Sequence, residues 1–199
     1  MITSAKTSRN IVPRAHKLAV KLGLIRPGMD VLDYGAGRFD KAARYLCDNV
    51  LHDINNSDQD NYFEVYRYDP QLPGTSHHII QDRYDLVFLA NVLNVIPSEN
   101  DRIETLRKAF DTVKPLGHML VQVYTGDRSG QGTVTRDGYQ ANMKGPDLIN
   151  PLLYSIYDRH YSGYKRYGDI YVLYKEGSLI CCNCDRSCSC HSRYCQAHA

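Results

Sequence analysis

Val31-Leu32-Asp33-Tyr34-Gly35-Ala36-Gly37 decides the fold, because an apolar run ends there in a carboxylate and two glycines. The run reads as a β-strand entering a tight turn, since Gly35 and Gly37 can take positive φ and let a ligand approach the backbone closely. Phe39-Asp40-Lys41-Ala42-Ala43-Arg44-Tyr45-Leu46 has helical character and follows at once. In a doubly wound α/β sheet such a strand, glycine loop and helix sit at the carboxyl end of the first strand, where nucleoside-containing ligands bind.

The third glycine of a dinucleotide fingerprint would fall near position 40, which holds Asp40. A pyrophosphate needs backbone N–H groups at the positive end of a helix, and a carboxylate there repels it. S-Adenosylmethionine carries no phosphate. Its amino acid end presents an ammonium that Asp33 is placed to hold, directly or through water. An ordinary turn after a strand is the competing reading of the glycine pair taken alone.

Composition narrows the class. A chain of 199 residues suits one compact domain with a small appendage. Lys and Arg number 24 against 22 Asp and Glu, a net charge of +2 with no basic block, so charge does not point to nucleic acid or an anionic membrane. No apolar run is long enough to span a bilayer, and Met1-Ile2-Thr3-Ser4-Ala5-Lys6 lacks the apolar core of a secretory signal. The expectation is a cytoplasmic protein with no membrane partner.

Of the 7 cysteines only Cys47 lies in the body of the chain; Cys181, Cys182, Cys184, Cys188, Cys190 and Cys195 crowd into the tail. Thiolates and imidazoles are the donors zinc prefers, so Cys184, Cys188, Cys190 and His191 are a candidate zinc set. Their irregular spacing repeats no two-plus-two pattern, and a loosely ordered tail is the alternative. The expected organisation is a polar segment and helix over 1–28, a ligand-binding domain over 29–176, and a cysteine-rich tail over 177–199 through which a protein partner could bind.

The remaining elements follow from periodicity and turn chemistry. Ala15, Leu18, Ala19 and Leu22 give one apolar helix face, closed by Gly23 and Pro27-Gly28. Asp48 to Asn61 reads as a loop, and Tyr62 to Tyr68 as a second strand ending at Asp69-Pro70. A carboxylate at that strand end is the one that grips ribose hydroxyls in such folds, so Asp69 is preferred to Asp53. Asp82 to Asn91 reads as a strand buried on both faces. Ser98, with Asp101 after it, caps a helix whose apolar face is Ile103, Leu106, Ala109, Phe110 and Val113; Lys114-Pro115-Leu116-Gly117 ends it before a strand over His118–Tyr124. His77 and His78 read as a solvated loop. Thr125 to Lys144, rich in glycine and threonine, reads as a long loop or lid that carries substrate contacts. Pro146 to His160 reads as a helix, and Tyr161–Tyr167 with Ile170–Lys175 as a hairpin turned at Gly168-Asp169. Among the 16 tyrosines, Tyr139, Tyr154 and Tyr157 are read as packing residues, with stacking on a base as the alternative.

Three landmarks resemble the class I S-adenosylmethionine-dependent methyltransferases: Val31 to Gly37 resembles their first motif, Tyr84-Asp85-Leu86-Val87 with Asn91 to Pro97 their fourth-strand region, and Val113 to Leu120 their helix-to-fifth-strand turn. The resemblance implies a doubly wound, mostly parallel seven-stranded sheet with helices on both faces and an antiparallel C-terminal hairpin. It implies that Asp33, Gly35 and Gly37 hold the methionine end of S-adenosylmethionine, Asp69 the ribose and Asp82 the adenine, while Asn91 and Asn94 face a methyl acceptor that is a nucleic acid or a small molecule. Thr3 to Thr7, Leu93-Asn94-Val95 and Arg136 to Gln140 further resemble bacterial and phage methyltransferases linked with DNA modification. The amino-methylating members of that kind carry an aromatic after paired prolines where this chain has Asn91-Val92-Leu93-Asn94, which disfavours amino-methylation of a flipped base. A cofactor-binding protein acting through a partner and a nicotinamide-dependent reductase are the alternatives.

Overall fold

The computed structural model describes residues 10–51, 63–72, 79–136 and 138–177. Their order is α1 (Arg14–Lys21), β1 (Asp30–Tyr34), α2 (Lys41–Leu51), β2 (Glu64–Tyr68), β3 (Tyr84–Ala90), α3 (Glu99–Asp111), β4 (Val113–Gln122), β5 (Thr133–Thr135), β6 (Gly138–Gln140), α4 (Gly145–Leu153), β7 (Tyr161–Tyr167) and β8 (Ile170–Lys175), with 3-10 turns at Leu93–Val95 and Tyr154–Ile156.

One sheet runs β2-β1-β3-β4-β8-β7. Its first four strands are parallel, β8 runs antiparallel to β4, and β7 antiparallel to β8. The chain steps from β1 outward to β2, then returns to place β3 on the other side of β1. That reversal opens a crevice between the carboxyl ends of β1 and β3, the usual ligand position in such sheets. The expected doubly wound sheet and C-terminal hairpin are present. The expected seven strands are not: the described residues give this sheet six, and β5 with β6 makes a separate antiparallel ribbon.

Strict alternation buries both faces. Val31, Leu86, Phe88, Leu120 and Val172 pack with Ala15 and Ala19 of α1 and Leu46 of α2. Leu32, Val87, Leu89, Met119, Val121 and Leu173 pack with Leu106, Ala109 and Phe110 of α3 and Leu148, Ile149 and Leu152 of α4. Asp33 shares the parity of Val31 and so lies on the face that α1 covers.

Several ends differ from expectation for local reasons. The helix after the glycine loop starts at Lys41, with the Asp40 carbonyl accepting the Arg44 N–H at 2.9 Å, and it continues to Leu51. Ser98 does cap α3, its side chain accepting from Asp101 N at 3.3 Å. The stretch 114–117 enters β4, accommodated by a register shift opposite Tyr84 and Leu86 and by φ +65° at Leu116. The helix expected over 146–160 ends at Leu153, shortly after Pro151, which lacks the N–H a helix interior needs. Among the described residues no helix is long and apolar enough to cross a membrane.

Candidate active site

The glycine loop is fixed from the neighbouring strand. Gly35 (φ +81°) and Ala36 both donate their N–H to the Tyr68 carbonyl, at 2.7 and 3.1 Å, and Gly37 (φ +64°) donates to Asp69 Oδ2 at 3.0 Å. Arg67 closes the clamp by donating from Nη2 to the Gly37 carbonyl at 2.9 Å. A Cβ at Gly35 would stand 2.3 Å from Val92 Cγ2, so the residue after β3 seats directly against the loop after β1 and leaves no room for a side chain. All three N–H groups of Gly35, Ala36 and Gly37 are consumed by this packing.

Beside the loop lies a cavity of about 650 Å³. Asp33, Gly35, Ala36 and Phe39 line one half; Asn91, Asn94, Tyr124, Thr135, Tyr139 and Gln140 line the other, with Ile11 to Arg14 leading into α1 at its edge. The ribbon β5–β6 forms the outer wall of the second half. Asn94 Nδ2 donates to Gln140 Oε1 at 3.1 Å, Gln140 Nε2 to the Tyr124 carbonyl at 2.9 Å, and Tyr124 N to Asn94 Oδ1 at 3.3 Å. The expected lid is therefore a strand pair tied down by side-chain amides.

Asp33 is the carboxylate among the lining residues, which also include the cations Arg14 and Lys41. It is 5% exposed, and its nearest ionisable neighbour is His16 of α1, with Nε2 at 3.5 Å from Oδ2 but outside hydrogen-bond geometry. His16 is wholly buried and stacked on Phe88, ring centroids 4.0 Å apart. A carboxylate removed from bulk water costs several kcal/mol unless donors or a cation face it. Asp33 is thus a buried anion that faces the cavity short of donors. Tyr34, on the opposite face of β1, is held protonated, its phenol pushed far above the usual range by burial and then by Tyr68 and Glu104.

The other expected residues divide. Asp69 is wholly buried and outside the cavity lining; besides Gly37 N, its Oδ1 accepts from Gln71 N at 2.9 Å. Asp82 precedes β3 and so stands at the amino edge of the sheet, at the end away from the cavity, where Lys175 Nζ meets its Oδ1 at 2.7 Å. The expectation of Asp82 at the adenine is corrected by that placement. Asn91 and Asn94 both line the cavity, as expected of residues beyond β3. Asp53, His77, His78, Cys184, Cys188, Cys190 and His191 lie outside the described residues, and among the described ones no group of three or more His, Cys, Asp or Glu side chains could hold a metal ion.

Sequence reading passed over His16 and Gln122. His16 had a signal, a histidine flanked by Ala15 and Ala19 in the packed part of a short helix. Gln122 had one too, the single polar residue in Met119-Leu120-Val121-Gln122-Val123. Its Oε1 accepts the N–H of Ala15 at 2.7 Å, satisfying an N-terminal group of α1 that Pro13 cannot cap.

The fold is that of S-adenosylmethionine-dependent methyltransferases. It is shared with the 1,6-didemethyltoxoflavin-N1-methyltransferase of Burkholderia thailandensis, solved with 1,6-didemethyltoxoflavin and S-adenosylhomocysteine: the TM-score is 0.52 at 17% identity over 82% of this chain and 77% of that one. A Methanosarcina mazei methyltransferase aligns at TM-score 0.49 and 10% identity over 79% of this chain and 97% of its own. Human N-acetylserotonin methyltransferase in complex with S-adenosylmethionine aligns at 0.49 and 15% over 83% and 51%. No protein-family model and no curated protein matches the chain.

Proposed function

We propose that this chain is an S-adenosylmethionine-dependent methyltransferase acting on a small-molecule acceptor. The observation that carries the reading is Asp33, a buried carboxylate short of donors at the carboxyl end of β1, beside a glycine loop and a cavity of about 650 Å³. The ammonium of the cofactor's methionine end is the cation such a carboxylate suits. Dinucleotides fit less well: the Gly35, Ala36 and Gly37 N–H groups are already bonded, and Asp40, paired with Arg44 at 2.7 Å, stands at the start of α2 where a pyrophosphate would sit. That disfavours a nicotinamide-dependent reductase. The S-adenosylhomocysteine held by the Burkholderia thailandensis enzyme of the same fold supports the choice of cofactor. The cavity also falls within the about 300 to 1,000 Å³ of small-molecule sites.

When bound, the cofactor would supply an electrophilic sulfonium methyl: a bond from an acceptor lone pair to the methyl carbon would form as the carbon–sulfur bond broke, its electron pair leaving with the thioether sulfur. The chain's own part is placement. Asp33 fixes the amino acid end, the clamped glycine loop sets how close the cofactor comes to β1, and Val92 holds that loop against the end of β3. Asn91 and the ribbon then set the acceptor. Near-attack positioning of this kind is worth about 7 to 11 kcal/mol. Asp69 acts through Gly37 N, as a positioning residue of the loop.

The test is a filter assay with methyl-labelled S-adenosylmethionine against three acceptor pools: a protein-free small-molecule extract, duplex DNA and total RNA. Label transfer to the small-molecule pool is expected. Transfer to DNA alone would replace this acceptor class with the DNA-modification one, and tight cofactor binding without transfer to any pool would favour a non-catalytic binding protein.

A further inference from the structure

We propose that Asn91 is a hydrogen-bond donor to the methyl acceptor, and that the acceptor is a planar conjugated molecule presenting a bare lone pair there, on a ring nitrogen or a carbonyl oxygen, rather than an amino group. The proposal rests on the methyltransferase reading above.

The oxygen and nitrogen of an amide side chain are ordinarily interchangeable, and only the hydrogen-bond network orients them. Here a backbone N–H decides. The Ala15 N–H, which can only donate, meets the Gln122 side chain at 2.7 Å, so the Gln122 atom facing it is the oxygen. Gln122 Nε2 then points the other way, 3.3 Å from the Asn91 side chain. An amide nitrogen must donate, so Asn91 turns its Oδ1 to it. What Asn91 has left, with no partner among the described residues, is Nδ2 and its two N–H groups, in a side chain that lines the cavity. The orientation passes from α1 through β4 to the residue after β3.

The main chain is fixed as well. Asn91 takes φ +61°, a left-handed conformation that is sparsely populated outside glycine, and its N–H donates to the Gln122 carbonyl at 2.8 Å. A strained residue pinned through both backbone and side chain is over-determined in the manner of a ligand clamp. Its neighbours leave it the polar contact to make. The Asn94 and Gln140 amides are occupied with each other and with the main chain of Tyr124. Tyr124 and Tyr139 line the same half of the cavity and give it the aromatic surface that suits a conjugated frame. An amino group would bring N–H to N–H at Asn91. A ring nitrogen or carbonyl oxygen brings the acceptor that the position lacks.

The experiment is calorimetric titration of the protein, saturated with S-adenosylhomocysteine, with two probes of the same ring frame: isoquinoline, whose ring nitrogen carries a lone pair and no hydrogen, and 2-naphthylamine, which offers N–H groups. Isoquinoline is expected to bind at least tenfold tighter. Asn91→Asp puts a carboxylate oxygen where the amide nitrogen stood, and its expected result is reversal of that order. Gln122→Glu presents a carboxylate oxygen that can only accept, so Asn91 turns its Nδ2 to it and its Oδ1 to the cavity, and the preference is expected to reverse. Equal binding, a preference for 2-naphthylamine, binding of neither probe, or a preference unchanged in both variants would overturn the proposal. Failure of S-adenosylhomocysteine itself to bind, read first in the same cell, overturns the methyltransferase reading and this proposal with it.

Discussion

At the amino ends of β3 and β4 carboxylates meet cations, Asp82 with Lys175 at 2.7 Å, Asp85 with Lys114 at 2.9 Å and Asp111 with Arg159, whereas at the carboxyl end of β1 Asp33 faces a cavity, and among the described residues its one ion-pair neighbour is His16 at 3.5 Å. Both ends belong to one sheet, and the same kind of residue serves opposite purposes in them. Lys175, almost fully buried, donates to the Phe110 and Val113 carbonyls as well as to Asp82, and so closes the carboxyl end of α3. The charges at that end are spent on the fold. Under the proposed function the Asp33 carboxylate is left for the cofactor, and the difference between the two ends lies in whether a carboxylate has donors within the chain rather than in how deeply it is buried.

Substitutions break this contrast in graded steps. The largest effect is expected from Gly35→Ala, which drives a Cβ into Val92 at a backbone conformation side chains rarely take; about 3 kcal/mol of stability should be lost in urea denaturation. Val92→Ala in the same chain should return part of it. Asp33→Asn comes next and acts on binding: affinity for S-adenosylhomocysteine should fall by about 2 kcal/mol while the melting temperature holds or rises, because a buried carboxylate without a hydrogen-bond donor is removed. At the other end Asp82→Asn should do the reverse, costing about 1 kcal/mol of stability and leaving cofactor affinity untouched. The value stays modest because Asp82 is half exposed and Lys175 keeps its carbonyl partners.

The smallest expected effect is a pH slope. His118 of β4, packed edge-on against Tyr174, has its pKa lowered by burial. The unfolded chain then binds this proton more readily than the folded one, so stability is fully present above the ordinary histidine pKa of about 6.5 and is lost as pH falls through the lowered folded value. His118→Gln should flatten the acid limb of a stability-against-pH curve.

The same contrast explains what could be read in advance. Val31 to Gly37, the buried strand before Asn91 and the tyrosine-rich hairpin were legible because period-2 burial and glycine-marked turns are local properties. The placement of Asp33 and Asn91 beside the cavity was legible with them, since they end the two strands, β1 and β3, between which the strand order reverses. Asp82 misled for want of one length: β3 is seven residues long, about 23 Å at about 3.3 Å each, so a carboxylate ahead of it stands a whole strand from the cavity. Asp69 sits at the end of β2 as expected, yet what its carboxylate touches, the N–H groups of Gly37 and Gln71, depends on how the loop closes over it. His16 and Gln122 matter through contacts across α1 and β4, which no local pattern records. The three-residue strands β5 and β6 carry too little alternation to stand out from a loop.

The most direct measurement is calorimetric titration of S-adenosylhomocysteine into the wild-type protein, Asp33→Asn and Asp82→Asn at one pH and salt concentration. Binding by the wild type, weakened tenfold or more in Asp33→Asn and unchanged in Asp82→Asn, is the expected result. Equal affinity in all three proteins, or a loss confined to Asp82→Asn, would contradict the assignment of the Asp33 carboxylate to the cofactor.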